Sequence, residues 1–295
     1  MLAVAPGVQY IHEPFNPLAP PGVSSAGFDH YYVYVDRHNE ALYYPSIART
    51  LAFRYGWLAQ ARRTRDLGKA RRELRTGVQF GRARRKHARP LMKDPIALLA
   101  SEWLAERFGM DVVLMIRHPA AFVSSAKRLH WRHSFAEFLA DERLMRDHLG
   151  RFEAELERQV HRSGDAIGEA ILAWRILYSV VATFRERHPD WIFVRHEDIS
   201  REPISMFKTL YERLGLDWTS NAQQAIEEHT GSTNPSEIVS PYSIHVDSVR
   251  NIWNWQKRLT PDEIRRVRRE VEDVSSAFYT DEDWEVPHAE FQARN

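Results

Sequence analysis

Four short apolar runs are spread along the chain and separated by stretches with helical spacing. Val8 to Ile11, Pro90 to Lys93, Val112 to Ile116 and Trp191 to Arg195 have strand length. Their near-continuous apolarity suits strands covered on both faces. Ile96, Leu99, Trp103, Leu104 and Phe108 recur at helical intervals up to Gly109, a residue suited to a C-cap. Pro119 opens another helix, with Phe122, Val123, Ala126 and Leu129 on its apolar side. Ile167, Ala170, Trp174, Leu177, Val181 and Phe184 predict a long packed helix, and Ile204, Phe207, Leu210, Tyr211 and Leu214 a shorter one closed by Gly215. Thr260-Pro-Asp-Glu263 has the form of a capping box ahead of Ile264, Val267, Val271, Val274 and Phe278. Strands alternating with helices predict an α/β fold: a largely parallel sheet flanked by helices, with ligands bound at the carboxyl ends of the strands.

Three stretches fall outside this rhythm. Residues 18–45, rich in Pro, Gly, Tyr and Asp, predict a long loop over a site. Residues 46–89 are helical in composition and strongly basic from Arg62 to Arg89, which suggests an arm or lid. The charged residues 141–163 predict an exposed connection.

The 295 residues suit one large domain better than two small ones. A formal charge of +1 gives no global field favouring nucleic acid. The basic arm has few interleaved aromatics and no nucleic-acid module, so it is read as a solvated face, a lid or a contact for an anionic acceptor. The absence of cysteine excludes disulfides and thiolate chemistry and fits a reducing compartment. The opening Met1-Leu-Ala-Val-Ala-Pro-Gly lacks the basic start of a signal peptide, and no run reads as the roughly 20 apolar residues of a membrane span. A soluble cytoplasmic chain without a transmembrane segment is therefore expected. The fourteen histidines are scattered without ligand spacing, and no metal is expected.

The segment Asp111-Val-Val-Leu-Met-Ile-Arg117-His-Pro119-Ala-Ala-Phe-Val-Ser-Ser125 concentrates the chemistry. It delivers an arginine from a strand end to a helix N-terminus, with a serine two turns into that helix. A guanidinium and a hydroxyl so carried can converge on one phosphate.

Together these residues resemble the sulfotransferases that use 3′-phosphoadenosine 5′-phosphosulfate (PAPS). Arg117 to Ser125 resembles the family's 3′-phosphate motif, and Lys93-Asp-Pro95 its lysine-bearing strand end. Arg195-His-Glu-Asp198 is similar to its strand ending in an aromatic-Glu-Asp motif, Glu228-His-Thr230 to its adenine-side turn, and Trp255-Gln-Lys257-Arg-Leu-Thr260 to its closing Trp-Lys segment. The likeness covers most of the chain and implies a P-loop-NTPase-like architecture. It departs at the start, where the family has a strand and a Gly/Ser/Thr-rich phosphate loop. The expectation is that the first strand and phosphate loop, about 25 to 35 residues, are missing ahead of Met1. The lost strand would be central, leaving unpaired edges and exposed apolar surface, so the polypeptide is expected to be poorly soluble or inactive by itself.

The resemblance implies transfer of a sulfuryl group from PAPS to an acceptor hydroxyl. Glu13, which precedes Pro14 after the first strand, is the favoured base, with His12 and Asp94 as alternatives. Lys93 would neutralise the sulfonate, and Arg117 and Ser125 would hold the 3′-phosphate. His196 stands where relatives place a tyrosine against adenine, Thr230 lines the same pocket, and Arg250 supplies the charge of an incomplete Arg-Lys-Gly run. Relatives acting on small phenols carry a histidine two residues after the lysine. Here that residue is Pro95, which cannot take a proton, so a carbohydrate or glycolipid acceptor is favoured. Two other classes stay open. One is a non-catalytic nucleotide-binding protein retaining the 3′-phosphoadenosine half-site; the other is an ATP- and magnesium-dependent phosphotransferase, for which no carboxylate pair is evident.

Overall fold

The computed structural model describes residues 1–64, 67–131, 135–161, 164–237 and 245–285. It is a mixed α/β structure dominated by helix, and its chain divides into two compact units. One comprises Met1–Asp111 with Leu210–Ala222, the other Val112–Thr209 with Gln223–Asn295.

In the first unit β1 (Val8–His12) runs parallel to β2 (Arg89–Lys93), with Val8 opposite Arg89 and His12 opposite Lys93. Between them in sequence come α1 (Glu40–Leu51), α2 (Trp57–Arg63) and α3 (Leu67–Arg85). The parallel register brings both carboxyl ends to one side, as the long crossover requires. After β2, Asp94 caps a 3-10 turn over Pro95–Ala100, which leads into α4 (Ser101–Phe108). Gly109 ends α4 in the left-handed conformation (φ 60°), as its sequence position predicts. The segment 18–39 is loop, as its sequence predicts, with Val23, Phe28, Val33 and Val35 buried, and the expected loop ends short of 45 because α1 begins at Glu40. Phe28, Val33 and Val35 pack with Phe15, Ile47, Trp103 and Leu104 into one apolar cluster. Burying four such side chains anchors an otherwise irregular chain.

In the second unit β3 (Val113–Ile116) pairs in parallel with β4 (Ile192–Arg195), Ile116 lying opposite Arg195. Pro119 is the first residue of α5 (Pro119–Leu129). The helices α6 (Phe135–Ala140), α7 (Glu142–Leu144) and α8 (Glu153–Val160) follow. Of the expected exposed connection 141–163, residues 142–160 are helical, while 162 and 163 lie outside the described residues: Leu144, Leu149, Phe152 and Leu156 are buried, and the charged residues between them mask that stripe in the sequence. Next come α9 (Ala166–Arg187), α10 (His196–Arg201), α11 (Pro203–Arg213) and α12 (Ser220–Thr230), the last two contributing residues to both units. Finally α13 (Ser248–Ile252), α14 (Trp255–Arg258) and α15 (Pro261–Ser275) complete the described chain with a 3-10 turn at Asp281–Trp284. Helices α5, α9 and α15 pack on one another, with Trp174, Ile176 and Val267 fully buried. Helix α9 is long and apolar enough to cross a membrane, but 78% of its apolar window is buried within the protein. It is a core helix, apolar over the stretch that the protein covers.

All four strands lie within a residue or so of their predicted positions, yet they pair as two separate two-stranded sheets, β1–β2 and β3–β4. The single larger parallel sheet expected from the alternation is not formed among the described residues. Each strand therefore keeps one edge without a ladder partner there.

Candidate active site

The predicted residues fall into two groups, one in each unit. In the first unit Glu13 leaves the end of β1 with φ 40°, a left-handed conformation uncommon for a residue with a side chain. Its N–H donates to the Lys93 carbonyl at 3.0 Å, extending the sheet by one bond, and its own carbonyl accepts from Asn16 N–H. The carboxylate is held at both oxygens: Lys93 Nζ donates to Oε1 at 2.5 Å and Asn16 Nδ2 to Oε2 at 3.2 Å. Burial pushes the Glu13 carboxyl up, but the Lys93 ammonium and the Asn16 amide outweigh it and hold it below the usual range. The two catalytic candidates are therefore brought together, each engaged with the other.

Asp94, next to Lys93, accepts N–H bonds from Phe15 at 2.7 Å and Ile96 at 3.1 Å. Burial lifts its pKa to about 6 against those bonds, with the neighbouring Glu13 charge adding to the rise. Its oxygens fasten the chain after Glu13 to the end of β2. His12 accepts or donates at Nδ1 to the Tyr10 hydroxyl at 3.0 Å, according to tautomer. Tyr32 carries no signal in the sequence, yet burial pushes its phenol up to about 12, and Asp94 and Glu13 add to the shift. A second left-handed residue (φ 61°) thus sits within electrostatic reach of the same carboxylates.

In the second unit Arg117 follows β3 directly. Its N–H donates to the Tyr178 hydroxyl and its carbonyl accepts from Trp174 Nε1, both at 3.0 Å, so α9 fixes its backbone from two sides. The guanidinium is treated differently. Nε is sealed from solvent without a hydrogen-bond partner, and no ion pair reaches the group among the described residues. Burial lowers its pKa; Tyr178 and Glu197 oppose the shift, while the nearby Arg258 cation adds to it. Ser125, buried on α5, likewise makes no hydrogen bond through its hydroxyl among the described residues.

His196, the first residue of α10, has its pKa lowered to about 4 by burial and by the Arg117 charge, so Arg117 and His196 are within electrostatic reach of each other. A part-buried guanidinium with no ion-pair partner among the described residues is chemically suited to receiving an anion. Thr230 ends α12, where its hydroxyl donates to the Ile226 carbonyl at 2.7 Å and is committed to its own helix. Arg250 on α13 pairs with Asp247 at 3.3 Å, and its charge is partly neutralised within one turn.

Glu197, inside a motif visible in the sequence, has a structural part that the sequence does not reveal. Its Oε1 accepts the His118 N–H and its Oε2 the Tyr279 hydroxyl, both at 3.0 Å, fixing the turn between Arg117 and α5. Only the distant Tyr279 and the parallel pairing of β3 and β4 create that arrangement, so spacing could not have shown it. Comparison with protein-family models, characterised proteins and solved structures finds no match to this chain.

Proposed function

We propose that the chain is a sulfotransferase that binds PAPS and passes its sulfuryl group to an acceptor hydroxyl on a carbohydrate or glycolipid, in a cytoplasmic setting. The observation that carries this reading is the Arg117 guanidinium, whose Nε is buried without a hydrogen-bond partner and which makes no ion pair among the described residues. A partly buried cation so placed calls for an anion from outside, and a nucleotide 3′-phosphate supplies one with bidentate geometry. On this reading Ser125 adds a hydroxyl to the phosphate, His196 and Thr230 contribute the adenine side, and Arg250 adds charge. A P-loop-NTPase-like architecture lacking its first strand and phosphate loop belongs to the same proposal.

In the transfer itself the acceptor oxygen attacks sulfur and the bond from sulfur to the 5′-phosphate oxygen breaks. The electron pair leaves with 3′-phosphoadenosine 5′-phosphate, and the hydroxyl proton goes to Glu13. Lys93 neutralises the sulfonate oxygens as charge moves. Moving the ammonium from Glu13 to the sulfonate raises the basicity of the carboxylate when a base is needed.

The Lys93–Glu13 pairing also favours a second reading. Two reactive groups satisfied by each other suit a protein that binds the 3′-phosphoadenosine half without turnover. Calorimetric titration with 3′-phosphoadenosine 5′-phosphate, together with transfer of label from PAPS to a panel of glycans and glycolipids, separates the cases. Binding with transfer supports the enzyme and binding alone the second reading. Absence of binding defeats both.

A further inference from the structure

Helix α3 carries seven basic residues and one acid, Glu73, over 19 residues. Glu73 accepts the Thr64 hydroxyl. Arg71, Arg72, Arg75, Arg82, Arg84 and Arg85 make no ion pair among the described residues. Elsewhere arginines are commonly paired, as Arg89 is with Asp111 and Arg266 with Asp165. On its inner side α3 buries Phe80 and Ala83, and on the flank between that side and Leu74, Gly77 lies so close under the Trp57 ring that a Cβ there would overlap it.

The outer side combines two unusual properties. Arg71, Leu74, Arg75, Val78, Gln79 and Arg82 line an open trough of about 470 Å³, all on one stripe at three- and four-residue intervals. Leu74 is 57% exposed and Val78 39%. Trp57 is half exposed, and it rests on Gly77 one turn from Leu74. Leu58, next to it on α2, is 79% exposed.

We propose that this face of α2 and α3 docks on an anionic lipid surface, with Leu74, Val78, Leu58 and Trp57 entering the headgroup boundary while the arginines meet lipid phosphates. The chemistry of the face selects this partner. Nucleic acid or a sulfated polysaccharide would neutralise the arginines but leave the aliphatic side chains wet. An anionic bilayer answers both, as it does for other amphipathic helices lying in an interface. Each arginine near such a surface adds attraction that salt weakens, whereas the aliphatic contribution persists.

The full chain is tested by flotation with vesicles of phosphatidylcholine alone and of phosphatidylcholine mixed with phosphatidylglycerol. Binding should be confined to the anionic vesicles and fall about a hundredfold in Arg71→Gln/Arg75→Gln/Arg82→Gln. Leu74→Ser/Val78→Ser should fall about tenfold and lose the part that resists salt. Because the chain lacks cysteine, Leu74→Cys can carry a single environment-sensitive dye. Its emission should shift blue on anionic vesicles, while the same dye at exposed Lys208→Cys should not shift. These positions are on the surface, and unchanged thermal unfolding of the variants confirms that they fold. Failure to float with anionic vesicles overturns the proposal. So does flotation that Leu74→Ser/Val78→Ser leaves intact, or a preference for heparin or duplex DNA over the vesicles that those variants do not alter.

Discussion

The residue on which the functional reading rests most heavily is Arg117, because its backbone is satisfied by Tyr178 and Trp174 while its guanidinium is not paired among the described residues. Arg117→Ala should weaken binding of 3′-phosphoadenosine 5′-phosphate by about 1.5–3 kcal/mol, the worth of a charge-assisted contact. Arg117→Lys should recover part of that, since the charge returns without the planar fork. Unchanged affinity by calorimetry refutes the role. His118, beside it, gives a separate test. Its ring is 2% exposed, stacked on Trp255 at 5.2 Å and met edge-on by Tyr279 and Trp284, and neither ring nitrogen has a hydrogen-bond partner. Burial lowers its pKa to about 3, so the folded state resists protonation while the unfolded chain takes a proton near the ordinary 6.5. Its contribution is complete above about pH 6.5 and is lost as pH falls toward 3. Between pH 7 and 5 the loss is about 2 kcal/mol. Denaturant unfolding at those two pH values should show it in the native chain, and His118→Phe should show that much less pH dependence.

At the scale of elements, local signals were legible wherever they were also sufficient. The Thr260–Glu263 box forms as its sequence predicts: Thr260 Oγ1 accepts Glu263 N–H at 3.2 Å and Glu263 Oε2 accepts Thr260 N–H at 2.8 Å. Thr260→Ala should therefore destabilise by about 1 kcal/mol. Glu263→Ala should cost more, because it also removes the Lys127 ion pair between α15 and α5 at 2.7 Å. Chemical denaturation of the two variants ranks them, and equal midpoints contradict the account. The helices within 142–160 are illegible in the sequence for the opposite reason. Leu144, Leu149, Phe152 and Leu156 depart from one clean helical period, and the backbone follows by passing through a π turn at Met145–Leu149 and a 3-10 turn at Gly150–Phe152. Glu13 and Lys93 were visible as strand-end residues, but only the register of His12 against Lys93 reveals that they neutralise each other. Asn16 and Tyr32 are not legible in the sequence, because nothing marks a loop asparagine or tyrosine until folding brings it within reach of a carboxylate.

For the whole molecule, the sheets pose the sharpest physical question. Parallel strands are ordinarily buried on both faces, and a sheet of two strands is barely self-supporting. Here β1–β2 and β3–β4 each stand as pairs among the described residues, and Met115, in the middle of β3, is 53% exposed. An apolar side chain on a strand with an open ladder edge is a template for pairing with another chain. With a formal charge of only +1, long-range repulsion between copies offers little protection. The purified chain should consequently associate as concentration rises. Met115→Lys should reduce that association by putting a charge where a neighbouring strand would have to bury it. Sedimentation velocity over a concentration series is the check. Association that Met115→Lys leaves unchanged would move the sticky surface elsewhere, with the exposed Leu58 and Leu74 face then tested by Leu58→Ser/Leu74→Ser. If the native chain stays monomeric throughout, the open edges are protected by the fold itself.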